Sequence, residues 1–246
     1  MENVPRVLIV GSTGYTGRAV VQQLCRAKIH TVAHIRPDSP NRERKRAYFS
    51  QLGCTVDYTP WEADSFVDML KRHQPTHVFS LLGTTKAKAR RAAQAGKEAT
   101  YESVDRDLSL LLLLAIEEVV EEQPIHKQIR YLFLSSMGVT ERSSNRYLQA
   151  RAAVERHIQQ MPFPWMIVRP SFISGPDRNE RRPMERVGSI MGDAFLSTLS
   201  VMGIKQPYQQ YGTLSGAQLA TGLIAWALDP EAYRKILDTR AIRQRI

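Results

Sequence analysis

The sequence predicts an α/β fold: a doubly wound parallel sheet with a small irregular C-terminal lobe. Strand-like and helical segments alternate along the first two-thirds of the chain, the pattern that builds a parallel sheet covered by helices on both faces. A short apolar run, Arg6–Val10, leads straight into a glycine-rich turn that opens a helix. The composition, 43% hydrophobic and 24% charged over 246 residues, is that of a soluble globular chain long enough to bury a large core.

Each element has its own signal. The continuous apolar run at Arg6–Val10 marks a strand buried on both faces. Helical spacing of Val20, Val21 and Leu24 follows over 16–26. Residues 31–35 and 54–58 read as the second and third strands, 66–71 as a helix and 77–82 as the fourth strand. A long helix is predicted over 98–121, a fifth strand over 131–135, a helix over 147–159 and a sixth strand over 165–168. The tail is mixed. Residues 171–216, rich in Gly, Pro, Met and Arg, read as an irregular cap lobe on one domain spanning 1–246.

Charge and cysteine content narrow the function. There are 34 Lys and Arg against 24 Asp and Glu, a net charge of +10. That balance favours an anionic partner. The basic residues fall in separated clusters, at 42–46, 86–91 and 178–182, with no interleaved aromatics for base stacking, which argues against a nucleic-acid surface. Cys25 and Cys54 have no metal-ligand spacing and are too few for a disulfide framework, so no metal site is predicted and the compartment is expected to be reducing. The longest apolar stretch, 108–116, falls far short of the ~20 residues a bilayer requires. It reads as the buried stripe of a core helix, which also suits a homodimer contact. With no secretory pattern at the N-terminus, the expected location is cytoplasmic.

The chemistry starts at Gly11-Ser12-Thr13-Gly14-Tyr15-Thr16-Gly17. Glycines let the backbone turn sharply and approach a phosphate, and the helix begun there turns N–H groups and a positive dipole end toward a pyrophosphate. In this strand–turn–helix setting the motif predicts a dinucleotide site. An acid at the end of the second strand would bind a free ribose 2′-hydroxyl. The residues there are His34-Ile35-Arg36 instead. Arg36, with Arg18 just past the third glycine, suits a 2′-phosphate and so favours NADP over NAD.

Further blocks then narrow the reading: Leu82-Gly83-Thr84-Thr85-Lys86, Val104-Asp105-Arg106-Asp107, Leu134-Ser135-Ser136-Met137-Gly138, Ser143-Ser144-Asn145 with Tyr147-Leu148-Gln149, and Arg169-Pro170. Over roughly residues 5–185 the chain resembles the atypical short-chain dehydrogenases/reductases of the NAD(P)-binding Rossmann superfamily, in particular their Tat-interacting-protein branch of NADPH-binding oxidoreductases. The resemblance implies that Gly11, Thr13, Gly14, Tyr15, Thr16 and Gly17 wrap the pyrophosphate, with Arg36 at the adenosine phosphate. It places Asp57 near the adenine and Leu82, Gly83 and Thr84 beside the nicotinamide ribose. It puts Ser136 and Tyr147 where the family keeps its serine and its Tyr-x-x-x-Lys tyrosine.

The family lysine is absent: position 151 is Arg151. Tyr147 and Arg151 are four apart and share a helix face. A phenol can donate a proton to a carbonyl oxygen as hydride arrives, and a neighbouring cation favours the phenolate. Arginine supplies that charge and can hydrogen-bond a ribose, but it cannot release its own proton. The expectation is an NADP(H)-dependent oxidoreductase acting on a small carbonyl or alcohol, with Ser136 orienting the substrate oxygen. The alternative is an NADPH-binding sensor without turnover. Asp105 and Asp107, two apart on a helix, are not read as a catalytic pair.

Overall fold

The computed structural model describes residues 4–84, 100–122, 129–174 and 212–246. Seven strands form one parallel sheet: β1 (Arg6–Val10), β2 (His30–His34), β3 (Thr55–Asp57), β4 (His77–Ser80), β5 (Arg130–Leu134), β6 (Trp165–Arg169) and β9 (Lys235–Asp238). Their spatial order is β3-β2-β1-β4-β5-β6-β9. A two-stranded parallel pair, β7 (Ile173–Ser174) with β8 (Leu214–Ser215), lies apart from it. The helices are α1 (Tyr15–Arg26), α2 (Arg42–Gln51), α3 (Ala63–His73), α4 (Leu108–Glu122), α5 (Arg146–Gln160), α6 (Gly216–Ala227) and α7 (Thr239–Arg243). The parallel, doubly wound sheet is the predicted one.

The core explains the pattern. Along β1, Leu8 and Val10 belong to one apolar cluster while Val7 and Ile9 belong to the other, each fully buried. This is the two-residue period of a strand with helices on both faces. One face takes Phe66, Met69 and Leu70 of α3, Leu112, Leu113 and Ile116 of α4, and Val154 and Ile158 of α5. The other takes Val20, Val21 and Leu24 of α1 and Leu219 and Leu223 of α6. A fully buried aliphatic side chain is worth about 1.5–3 kcal/mol, so packing, not local propensity, fixes these strands.

Besides the other elements of the tail, three elements depart from the sequence-based expectation. Helix α2 went unforeseen because its sequence, RERKRAYFSQ, buries only Phe49 and leaves no apolar stripe. Strand β9 extends the sheet past the sixth strand, and a short edge strand with Leu237 alone buried gives little pattern to read. The helix predicted over 98–121 starts in a π-helical turn, Tyr101–Asp107, before it becomes regular α4. Thr100 sets that start: its side chain accepts from the Ser103 N–H while the Ser103 hydroxyl receives the Thr100 N–H. Residues 98 and 99 lie outside the described residues.

Of the lobe expected over 171–216, residues 175–211 are outside the described residues, as are the basic clusters at 86–91 and 178–182 and the Thr85-Lys86 end of its block. Ile173–Ser174 and Leu214–Ser215, near the two ends of that span, meet in the β7–β8 pair. Among the described residues no helix is long and apolar enough to cross a membrane.

Candidate functional site

In this strand order β1 leads to β2 on one side and to β4 on the other, so the chain reverses direction between β1 and β4. Ligands of open parallel sheets bind at such a switch point, outside the carboxyl ends of the strands. The glycine turn is built there. Gly11 has φ of +85°, and a Cβ on it would lie 2.5 Å from the Leu81 carbonyl oxygen beyond β4. A Cβ on Gly17 would lie 2.2 Å from the Gly11 oxygen. The first glycine thus fits the turn against the neighbouring strand and the last lets α1 pack onto the turn itself. The Gly14 N–H closes the turn on the Gly11 carbonyl at 3.0 Å.

The start of α1 fits an anionic group. Gly14 precedes it in extended conformation, no side chain caps it, and its first turn holds no acid. Helices α2 and α3 also lack a side-chain cap, but each has an acid in its first turn, and α5, α6 and α7 are capped by Asn145, Ser215 and Asp238. The dipole and first-turn amides of α1 therefore face the switch point without a side-chain oxygen over them. Thr16 and Gly17 are buried beneath. Tyr15 turns toward α6: its hydroxyl accepts the Gly216 N–H at 3.3 Å. A Cβ on Gly216 would sit 2.6 Å from its ring. Nothing in the sequence linked positions 201 residues apart.

Next to the cradle, the end of β2 is held by Ser12, whose hydroxyl donates to the His34 carbonyl at 2.6 Å. The His34 ring is buried, bonded to the Thr59 carbonyl at 2.8 Å and packed edge-on to Trp61. Burial pushes its pKa below the ordinary histidine value, against the Thr59 bond and the Asp57 charge. Arg36 follows, half-exposed, 3.7 Å from the Asp38 carboxylate. So loose an exposed pair is worth little, which leaves the guanidinium available to an anion. Arg18 is exposed on α1.

Asp57 is differently placed from a free adenine ligand. Its Oδ1 accepts the Thr59 N–H at 2.8 Å, and its Oδ2 meets Arg72 at 2.8 Å and His73 at 2.9 Å. Burial alone would raise its pKa, but the bonds from Thr59, His73 and Arg72 hold it well below the usual carboxylate range. The carboxylate ties the strand end to the Thr59 loop and to α3.

The other half of the site lies past β4 and β5. Arg151 is only 3% exposed and Asp105 is fully buried. The guanidinium donates to Asp105 Oδ1 at 2.6 Å, to the Leu82 carbonyl at 2.7 Å and to the Leu134 carbonyl at 2.8 Å. Asp105 Oδ2 accepts the Thr84 N–H at 2.9 Å. One ion pair thus stitches the ends of β4 and β5 to the π-helical turn. Burial works against the arginine charge, while Tyr147 and Asp105 more than offset it and raise its pKa.

Three of the Arg151 hydrogen bonds go to Asp105 and the two strand ends, while its buried Nε has no hydrogen-bond partner among the described residues. The guanidinium carbon lies 5.4 Å from the Tyr147 ring centroid. Tyr147 is half-buried at the start of α5, edge-on to Tyr101 at 5.3 Å.

Asp105 is the residue that sequence reasoning missed. The Val104-Asp105 block marked it, but its partner, 46 residues away, is set by topology. The two serines after β5 also divide. Ser135 is buried, with its hydroxyl on Glu155, which pairs with Arg169. Ser136 is half-buried, with its hydroxyl toward the Met137 carbonyl at 3.3 Å.

A glycine cradle at the switch point, beside an exposed arginine and a tyrosine next to a buried cation, defines a dinucleotide-binding α/β protein. A model of the NAD(P)H-binding family matches residues 11–196, and the chain belongs to that family. Protein FMP52, mitochondrial, of Coccidioides immitis (strain RS) is 27% identical over 238 residues, 93% of this chain and 90% of its own length.

Solved structures share the fold. AtPrR2 with NADP+ and (+)pinoresinol superposes with a TM-score of 0.63 at 16% identity, covering 99% of this chain and 75% of that one. Leucoanthocyanidin reductase of Vitis vinifera with NADPH gives 0.60 at 15%, over 94% and 67%. WbmG of Bordetella bronchiseptica with NAD and UDP gives 0.61 at 13%, over 95% and 72%. The family match shows NAD(P)H binding and these structures share the fold, both of which fit the resemblance to atypical short-chain dehydrogenases/reductases.

Proposed function

We propose that the protein is an NADPH-dependent oxidoreductase of a small carbonyl or alcohol, working in the reducing cytoplasm. The observation that carries this reading is Tyr147 beside the buried Arg151 cation, at the ends of β4 and β5, with β4 next to the strand that leads into the glycine cradle. In this reading the backbone of Gly11, Thr13, Gly14, Tyr15, Thr16 and Gly17 holds the pyrophosphate. Arg36, with Arg18 beyond it, takes the 2′-phosphate, and Leu82, Gly83 and Thr84 border the nicotinamide ribose. Asp57 shapes the adenine side through the loop it anchors. The bound nicotinamide supplies a hydride to a carbonyl carbon or takes one from an alcohol.

The chain's own residues handle the proton. The Tyr147 phenol gives its proton to the carbonyl oxygen as that oxygen becomes an alcohol, and Arg151 steadies the phenolate left behind. Ser136 orients the oxygen. Arg151 stays protonated throughout, so the phenol is recharged from solvent rather than through position 151. The commitment of Arg151 to structure also supports the second reading, a cofactor-binding sensor without turnover.

Tyr147→Phe tests turnover, and Arg36→Ala tests the coenzyme preference common to both readings. Tyr147→Phe should lower NADPH oxidation over a panel of aldehydes and ketones by roughly 10²-fold or more, with the NADPH Kd unchanged. Wild-type protein that binds NADPH yet oxidises it with no member of the panel favours the sensor, and unaltered turnover in the variant removes the phenol from the mechanism. Arg36→Ala should weaken NADPH by about tenfold, the loss of one charge-assisted contact of ~1.4 kcal/mol, and leave NADH nearly unchanged. Equal effects on both coenzymes in titration would place the 2′-phosphate elsewhere.

A further inference from the structure

The two cysteines, separated by 29 positions, come together in the fold. Cys25 lies in the last turn of α1 and Cys54 immediately precedes β3. Both are free thiols, and their sulfurs are 2.7 Å apart. From that separation a bond of ~2.05 Å needs a shift of only a few tenths of an ångström from each side chain. Neither sulfur touches the cofactor cradle, which lies at the opposite end of α1.

We propose that Cys25 and Cys54 form a redox-modification site, a dithiol that peroxide converts to an intramolecular disulfide. Access and reactivity divide between the two. Cys25 is half-buried and Cys54 is buried, so an oxidant reaches Cys25 first. The Cys54 hydrogen bond, opposed by burial and aided by Thr31, pulls the Cys25 thiol down to about 7. The same bond, with burial, pushes Cys54 up and keeps it protonated. A lowered thiol beside a protonated partner is the arrangement of an attacking and a resolving cysteine.

The chemistry balances with hydrogen peroxide as oxidant. The Cys25 thiolate attacks one peroxide oxygen; an S–O bond forms, the O–O bond breaks, and hydroxide leaves. The Cys54 sulfur then attacks Cys25; the S–S bond forms, the S–O bond breaks, and the Cys54 proton leaves with the departing oxygen. Two thiols lose two electrons, and one peroxide becomes two waters. The product ties the far end of α1 to the start of β3.

These are the chain's only two cysteines, so every thiol signal reports on this pair. The full-length protein, first reduced and desalted, is treated with hydrogen peroxide, alkylated and read by intact mass and non-reducing peptide mapping. The expected result is joint loss of both alkylation sites, a mass fall of two hydrogens, a Cys25–Cys54 cross-linked peptide and reversal by dithiothreitol. In Cys54→Ser the same treatment should stop at an oxygenated Cys25. Over-oxidation of Cys25 in the wild type with Cys54 still alkylatable, disulfides only between chains, or no thiol loss would each overturn the proposal.

Discussion

Asp105→Ala is expected to destabilise the protein by about 3–5 kcal/mol, the cost of leaving a buried charge without its partner. Among the described residues Asp105 is the one carboxylate on Arg151, and both are buried. At roughly 2–4 °C per kcal/mol for a chain of this size, the melting temperature should fall by ~6 °C or more. The variant also frees the Thr84 N–H, so the stretch over 82–84 should lose hydrogen-exchange protection first. Asp105→Ala with Arg151→Met should recover only part of the loss. The charge is gone, but the Leu82 and Leu134 carbonyls that Arg151 satisfied are left unmet. A single variant within 1 °C of wild type would show that the pair does not hold the strand ends.

Gly17→Ala is expected to abolish nucleotide binding and to destabilise the fold by several kcal/mol. The added methyl would lie 2.2 Å from the Gly11 oxygen and 2.9 Å from the Ser12 Cα. Both are backbone atoms, so relief requires α1 to move off the turn. Overpacking of this kind typically costs about 1–3 kcal/mol, and more where backbone must shift. A thermal-shift titration should show a lower melting temperature and no further rise with NADPH, whereas a bound ligand stabilises wild type by mass action. An NADPH-dependent shift equal to that of wild type would contradict the placement of the pyrophosphate on this turn.

The legible parts of the molecule were those that depend on short-range chemistry. Arg6–Val10 reads as a buried strand from its own residues, because both faces of β1 must be apolar. The glycine turn is legible for the same reason: bare backbone is demanded at Gly11 and Gly17 by atoms within a few residues or on the adjoining strand. Helix α6 was hidden by Gly216, Thr221 and Gly222, although Ser215 and Gln218 carry a capping box that marks its start. The partners of Arg151 were illegible. Position 151 reads as a substituted lysine until the π-helical turn brings Asp105 to it, and only the packing of α5 beside that turn makes the contact. The neighbouring serines show the same limit, since Ser135 becomes structural through Glu155, twenty residues on.

The seating of Tyr15 on Gly216 has a consequence for how the molecule is made. The helix proposed to receive the nucleotide's diphosphate is backed by residues synthesised 201 positions after Tyr15. A nascent chain therefore carries the cradle's sequence long before it has the helix that backs it, and the flank of α1 that meets α6 stays uncovered until α6 emerges. Coenzyme rewards the finished molecule, not the growing one. Cells short of the dinucleotide should lose this protein through turnover of completed but empty chains, not through failed synthesis.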